Sequence, residues 1–73
     1  MDKRFIDLLN QAFNCAMHYR ETKDNGNFKP SENPFLFMGR DAIQTLLKEY
    51  KDVLINLDRK YWMAFSFAAT TLK

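Results

Sequence analysis

The sequence of 73 residues contains few of the residues that cross-link or interrupt small folds. It has one cysteine, two glycines and two prolines. Because a lone Cys15 cannot form a disulfide within one chain, the disulfide scaffolds of small secreted proteins are excluded and a reducing compartment is favoured. The sequence therefore predicts a cytoplasmic protein whose core is held together by apolar packing.

Long apolar runs and a strong excess of one charge are also missing. No stretch approaches the roughly 20 apolar residues of a membrane span, and the start MDKRFIDLLNQAF lacks the uninterrupted apolar region of a secretory signal. Eleven Lys and Arg against nine Asp and Glu leave a formal net charge of +2, unlike the clustered basic surface of a dedicated nucleic-acid binder. We expect no membrane partner, and charge alone identifies no other.

Apolar residues, by contrast, are abundant: 47% of the chain is hydrophobic and 15% is aromatic. This composition predicts a packed structure rather than disorder. A chain of this length buries only about 60% of the surface of its unfolded form, and its core contributes about 3–5 kcal/mol at most. We expect a single small helical domain, residues 1–73, whose apolar surface is completed by another chain.

Residues 3–23 have the pattern of an amphipathic helix. Apolar residues recur at three- and four-residue steps, at Phe5, Leu9, Ala12, Phe13 and Ala16. Asp2 precedes them in the position of an N-cap.

Residues 24–40 are predicted to connect two helices, since they hold both glycines and both prolines. The connector is unusually aromatic. Asn33 and Pro34 are a typical helix start, so the segment PFLFM is expected to form a short helical turn that Gly39 ends.

Residues 41–72 predict a long second helix that begins at a capping box of Asp41 and Gln44. At about 100° per residue, its apolar residues share one broad face. These residues are Ile43, Leu46, Leu47, Tyr50, Val53, Leu54, Leu57, Tyr61, Ala64, Phe65, Ala68 and Leu72. The expected architecture is all-α: a short helix, an aromatic connector and a long helix, packed as an oligomeric helical bundle.

Two alternatives to the long helix remain open. Asp58 is a candidate cap for a separate third helix, which would give a compact three-helix bundle. The unbroken apolar phase favours one helix, with any kink at residues 56–58. The segment WMAFSFAATT also has partial strand character, but no hairpin turn nearby offers it a partner strand.

The C-terminal half of the second helix is apolar on almost every side. Beside the main face, which includes Phe65, it carries Ile55, Trp62 and Ala69 at seven-residue intervals and Met63 and Phe67 four residues apart. Such helices are buried on several sides. These six residues are therefore predicted to form the interface of a homo-oligomer, a dimer by frequency of occurrence.

The connector offers a second candidate surface, formed by Phe35, Phe37 and Arg40. Neighbouring positions on a helical turn cannot all face one core, so at least one of the two aromatic residues is expected to stay exposed. Exposed aromatic residues beside a cation are typical anchors for a protein or a nucleotide base. In the alternative interpretation both rings cover the core.

The cations offer an alternative function. Arg40, Lys48, Lys51, Arg59 and Lys60 are candidate anion-binding residues, with tyrosine and tryptophan available for stacking. Several copies of this set, brought together by assembly, would make inter-subunit pockets for nucleotides or nucleic acid. The competing interpretation is a solvated helix face.

No catalytic residue, metal site or cofactor is predicted. Cys15 and His18 supply too few ligands for zinc, and no base stands beside a nucleophile. We expect a structural Cys15 and a solvated His18. The sequence therefore predicts a non-enzymatic helical interaction protein that self-associates and binds or modulates an unidentified protein, typical of the small accessory or inhibitor proteins of phages and bacteria.

Overall fold

A computed structural model describes residues 2–24 and 33–73 of the chain. These residues form helices and no strand. The helices are α1 (Lys3–Asp24), α2 (Pro34–Glu49), α3 (Lys51–Ile55) and α4 (Arg59–Thr71). The predicted all-α class is confirmed, and the strand alternative for residues 62–71 is wrong because they lie in α4.

Helix α1 covers the predicted first helix and extends one residue further. The backbone N–H of Arg4 donates to Asp2 Oδ1 over 3.1 Å, so the predicted N-cap is confirmed. The apolar stripe of α1 packs against α2 and α4, with all its residues buried except Phe13, which is half-buried. Amphipathic periodicity was sufficient to define this element, since one face of the helix meets the core from Phe5 to Tyr19.

The predicted start of the second helix at Asp41 is wrong. Helix α2 begins seven residues earlier, at Pro34, where Asn33 Oδ1 accepts a hydrogen bond from the N–H of Phe35 over 3.0 Å. Asp41 lies inside α2 and caps nothing, so residues 34–40 belong to a helix and not to a connector. Residues 25–32 of the predicted connector lie outside the described residues.

Gly39 does not end the helical turn, contrary to the sequence prediction. It is buried in the middle of α2, where a Cβ atom would collide with Leu72 Cδ1 and lie 3.0 Å from Cys15 Cβ. The missing side chain therefore lets α2 approach α1 and the end of α4 closely. Packing between helices, and not a turn, requires glycine at this position.

The predicted continuous helix over residues 41–72 is also wrong. The helical path is interrupted at Tyr50 (φ −121°, ψ 26°) and again over residues 56–58. A straight helix of that length would be about 48 Å long, whereas the longest dimension of the molecule is 37 Å. The second interruption allows α4 to pack on α1. Asp58 immediately precedes α4, the position that the three-helix alternative gave it.

The core consists of two clusters of buried side chains. The first joins all three longer helices through Ala12, Ala16, Tyr19, Leu36, Ala42, Ala68 and Leu72. The second comprises Phe5, Leu9, Leu46, Leu54 and Phe65. Leu47, which the periodicity placed with the core residues, is instead exposed.

Polar contacts join the start of α1 to the end of α2. Arg4 donates to both carboxylate oxygens of Glu49, over 3.1 and 3.3 Å, and this hydrogen bond raises the pKa of the guanidinium group. Tyr50 Oη donates to Asp2 Oδ2 over 3.1 Å. Partial burial, reinforced by that hydrogen bond, raises the pKa of the Tyr50 phenol. These contacts fix the interruption at Tyr50 above the Phe5 ring, 5.4 Å away between centroids.

Candidate interaction surface

Large apolar side chains are exposed at seven positions of the described chain. They are Met17, Phe37, Met38, Leu47, Ile55, Trp62 and Met63. Five of the seven line two grooves that run along the two sides of α4. Exposed apolar residues scattered singly are common on soluble proteins, whereas their concentration along two grooves makes this side of the molecule a candidate interaction surface.

The first groove lies between the end of α2, α3 and α4. It has a volume of about 400 Å³ and is lined by Leu47, Lys51, Leu54, Ile55, Leu57, Trp62 and Phe65. Ile55 is 71% exposed and Trp62 is 49% exposed. Beneath them, the buried Phe65 ring stacks on the Trp62 indole at 5.7 Å between centroids, which holds the indole in place. The groove is therefore an apolar trough with one cation, Lys51, among its lining residues.

The second groove lies between α1 and α4. It has a volume of about 550 Å³ and is lined by Phe13, Met17, Lys60, Met63, Ala64 and Phe67. Met63 is its most exposed apolar side chain, at 62%. The rings of Phe13 and Phe67 pack together with centroids 5.4 Å apart and connect the two helices. Methionine at such a surface adapts to the shape of what it contacts.

The six residues predicted as an oligomer interface occupy different depths. Ile55 and Trp62 line the first groove, and Met63 and Phe67 line the second. Phe65 is buried in the core of its own chain. Ala69 is half-buried and packs on the second core cluster. Trp62, Met63 and Ile55 are thus the members with substantial surface left to bury.

The three residues predicted to bind a partner are not brought together on one surface. Phe35 is half-buried, and the exposed His18 ring stacks on it at 4.9 Å. Phe37 is 48% exposed, as expected of one of the two aromatic residues. Arg40 Nε donates to the carbonyl oxygen of Leu72 over 2.7 Å, so its guanidinium group caps the end of α4.

The candidate anion-binding residues are also dispersed. Lys51 borders the first groove and Lys60 the second, with Lys60 Nζ 5.0 Å from the centroid of the Tyr61 ring. Lys48 shares a shallow cavity with the carboxylates of Asp41 and Glu49. Arg59 is the first residue of α4, and Arg40 is bonded to the end of the same helix. A single chain therefore presents no convergent set of cations among these five.

Cys15 and His18 occupy the positions expected from the sequence. Cys15 is buried, which raises the pKa of its thiol and disfavours the reactive thiolate. His18 is exposed, with Nδ1 3.8 Å from Glu21 Oε2. Within residues 2–24 and 33–73, no three side chains of the metal-ligating types lie close enough to hold an ion.

Phe13, Met17 and Leu47 are among the groove residues that the sequence did not assign to this surface. The periodicity placed Phe13 and Leu47 on core-facing stripes, whereas Met17 was not singled out. The exposure of Met17 and Leu47, and the half-burial of Phe13, depend on how α1 and α2 are rotated against α4. Helical periodicity within each element does not contain that information.

No protein-family model matches the chain, no curated protein is significantly similar to it in sequence, and no solved structure is significantly similar to it in fold. In the part of the chain that the structure describes, the helices are too short or too polar to cross a membrane.

Proposed function

We propose that the protein is a small non-enzymatic interaction protein that self-associates through the α4 side of the molecule and binds another macromolecule. The observation that carries this proposal is the concentration of exposed Leu47, Ile55, Trp62, Met63 and Met17 in the two grooves beside α4. A domain of this size has little stability to spare. Covering this surface with a second chain would offset that deficit.

Trp62 is the strongest single anchor. A tryptophan side chain buries about 200 Å², so covering the exposed half would remove about 100 Å² from water, worth about 2.5 kcal/mol at 25 cal/mol per Å². An exposed ion pair contributes about 0–1 kcal/mol. Apolar contact, and not charge pairing, therefore supports association at this surface.

The surface for another macromolecule is proposed to lie on α2, on the side turned away from the core. Phe37 and Met38 are both exposed there, and neither lines the grooves beside α4. Self-association through α4 would leave this pair accessible. An accessory or inhibitory role in a phage or bacterial cytoplasm is the kind of role we propose for such a module.

The alternative, an oligomeric binder of nucleotides or nucleic acid, has weaker support. Arg40 is engaged with a backbone carbonyl, and Lys48 lies beside two carboxylates. An inter-subunit pocket would have to be built mainly from Lys51 and Lys60, one in each groove. A phosphate group is bound most tightly by several convergent donors.

Two matched double variants test the proposed function. Trp62→Gln with Met63→Gln makes two adjacent exposed apolar residues of α4 polar, and Phe37→Gln with Met38→Gln does the same on α2. Sedimentation velocity across the micromolar range should show self-association for the wild type and for the α2 variant. The α4 variant should sediment as a monomer with unchanged helical circular dichroism. Equal association of both variants would contradict the proposed surface.

A further inference from the structure

The second groove, between α1 and α4, continues beyond its apolar section. Toward the ends of both helices it leads into a cavity of about 240 Å³ that is lined by Arg20, Lys23, Asp24, Thr70 and Thr71. The two sections adjoin, since the guanidinium carbon of Arg20 lies 5.8 Å from the centroid of the Phe67 ring, a wall of the apolar section. The groove is therefore apolar over most of its length and polar at one end.

Helices α1 and α4 run in the same direction along this groove. Phe5, near the start of α1, shares a core cluster with Phe65, whereas Tyr19, near its end, shares the other cluster with Leu72. The two sections of the groove together follow residues 13–24 of α1 for about 16 Å, or about three helical turns. A groove between two packed helices matches a third helix in shape.

Cations lie at both ends of the groove. Lys60 lines the apolar section at the start of α4, and Arg20 and Lys23 line the polar section at the end of α1. Among the described residues that line the groove, Asp24 is the one acidic side chain, and α4 itself carries no acidic residue. The charge of the groove therefore favours an occupant with acidic residues.

We propose that this groove binds an amphipathic helix of a partner protein, about three turns long, which is acidic in its first turn and runs antiparallel to α1 and α4. Its apolar side chains, at steps of three and four residues, cover Met17, Met63 and Phe67. This inference rests on the proposed function for its premise that the protein binds another macromolecule, and it names the chemistry of that partner. The first groove, with Ile55 and Trp62, stays available for self-association.

Charge and the helix dipole both favour the antiparallel orientation. The first turn of a helix is the positive end of its dipole and is stabilised by Asp and Glu. In this orientation the acidic first turn of the partner helix lies beside Arg20 and Lys23, at the negative ends of α1 and α4. The negative end of the partner helix lies beside Lys60, at the start of α4. A parallel helix would instead set like ends of the dipoles together at both ends of the groove.

Arg20 is the cation best placed to pair with a carboxylate of the partner. Its guanidinium group lies over the Phe67 ring and, within the described part of the chain, forms no ion pair. A guanidinium group binds a carboxylate through two parallel hydrogen bonds. The hydroxyl groups of Thr70 and Thr71 have no hydrogen-bond partner among the described residues, whereas that of Thr22 donates to a backbone carbonyl. The polar section therefore offers several donors to one carboxylate.

Selection from a peptide library tests the chemistry of the partner. The library displays alanine-rich helical peptides of about 16 residues on yeast, randomised along one face and in the first turn. Selection with the wild-type protein should enrich Asp and Glu in the first turn, followed by apolar residues at three- and four-residue steps. A library that yields no binder, or binders with Lys and Arg in the first turn, would overturn the proposal.

Charge reversal in the groove tests where the selected peptide binds. By fluorescence anisotropy, the double variant Arg20→Glu, Lys23→Glu should raise the dissociation constant of the labelled peptide at least about tenfold. The matched control Lys3→Glu, Lys48→Glu changes the net charge equally at exposed positions outside the groove, and should keep the constant within about twofold of the wild-type value. A peptide with Lys in place of the first-turn acids should bind the groove variant at least about tenfold more tightly than it binds the wild type.

A substitution in the apolar section tests the same site without changing the charge at the end of α1. Met17→Gln, at an exposed position of α1, should also raise the dissociation constant at least about tenfold, with unchanged helical circular dichroism. Met38→Gln, at an equally exposed position of α2, should leave it within about twofold. Equal effects of the two substitutions would place the peptide elsewhere and overturn the proposal.

The outcomes separate this proposal from the proposed self-association. A protein that self-associates but selects no acidic helix would overturn the helix-binding groove and leave self-association standing. A protein that binds the peptide in this groove but stays monomeric would do the opposite. Loss of peptide binding at concentrations where the protein self-associates would assign the second groove to another copy of the chain and overturn the proposed partner.

Discussion

At residue scale, Gly39 shows how one missing side chain sets the distances between helices. A glycine inside a helix costs about 1 kcal/mol relative to alanine because of its backbone freedom. Close packing offsets that cost. A Cβ atom on residue 39 would press on Leu72 and Cys15, so only glycine lets the helices approach this closely. Leu72 is buried, so its side chain has little room to move away.

We predict that Gly39→Ala lowers the free energy of unfolding by about 1–3 kcal/mol, because overpacking outweighs the gain in helix propensity. Urea unfolding followed by circular dichroism measures the change. Asn10→Ala, at an exposed position of α1, is the control and should stabilise by a few tenths of a kcal/mol. In a Leu72→Val background the cost of Gly39→Ala should fall by at least half; a stabilising Gly39→Ala would contradict this account.

Two ionisable groups have higher pKa values in the folded chain than in the unfolded chain. We therefore predict that the protein loses stability at alkaline pH. Burial raises the thiol pKa of Cys15 above its usual 9.0, and partial burial with the Asp2 hydrogen bond raises the phenol pKa of Tyr50 above 10.0. The unfolded chain then loses these protons at lower pH than the folded chain. The contribution of these groups to the free energy of unfolding is fully present below the unfolded-state pKa values. It is lost as the pH rises through the higher pKa values of the folded state.

Thermal unfolding between about pH 8 and about pH 10.5 measures this dependence. The melting temperature of the wild type should fall across that interval. The Cys15→Ala, Tyr50→Phe double variant should start lower, having lost the Asp2 hydrogen bond, but should fall less steeply. Parallel curves for the two proteins would contradict the assignment.

At the scale of the element, the rotation of α2 buries one of two neighbouring leucine residues in the core and leaves the other at the surface. Leu46 is 0% exposed and Leu47 is 52% exposed. We predict that Leu46→Ala costs about 2–5 kcal/mol, enough to unfold a domain of this size, through lost burial and a residual cavity. Leu47→Ala should change stability by less than about 0.5 kcal/mol. Circular dichroism at low protein concentration compares them, and similar losses for both would contradict the rotation of α2.

The features predicted correctly are the first helix and the helix start at Asn33 and Pro34, both of which are decided by local chemistry. The apolar stripe and Asp2 cap define α1, and Asn33 with Pro34 marks the start of α2. Gly39 was misinterpreted because a glycine after an apolar run is typical both of a helix end and of close helix packing. The deciding factor, the proximity of Leu72 from the end of the chain, is tertiary.

The interruption at residues 56–58 was indicated in the sequence only by Asp58, the candidate cap of a separate helix, and the apolar periodicity argued against it. The core-facing residues after it, among them Phe65 and Leu72, keep the phase of a single helix. Periodicity records which side of a helix is apolar and not the direction of its axis. The periodicity therefore identified the contact residues of α4 but did not indicate that α4 turns back onto α1.

The candidate interaction surface could be predicted only in part, because periodicity shows which residues share one side of a helix but not which other helix lies beside them. Seven-residue spacing correctly grouped Ile55 with Trp62, and four-residue spacing grouped Met63 with Phe67, since each pair lies on one side of the chain. The other walls of the grooves come from α1 and α2. Their positions depend on packing between helices, which single-element patterns do not specify.

At the scale of the whole molecule, the central claim is that the surface beside α4 is covered by a second copy of the chain. The two core clusters, together with the partly buried side chains packed against them, include most of the aliphatic residues. Trp62, Met63 and Ile55 remain outside both clusters. A larger domain has more interior in which to bury such residues, whereas this small one leaves them at the surface of the single chain.

Native mass spectrometry of the purified wild-type protein tests this claim most directly. We predict a species of twice the 8.7 kDa mass of one chain, with no added small-molecule mass, whose share rises with concentration as required by mass action. The single-chain mass at every micromolar concentration would contradict self-association. An assembly that carries the added mass of a nucleotide would favour the nucleotide-binding alternative instead.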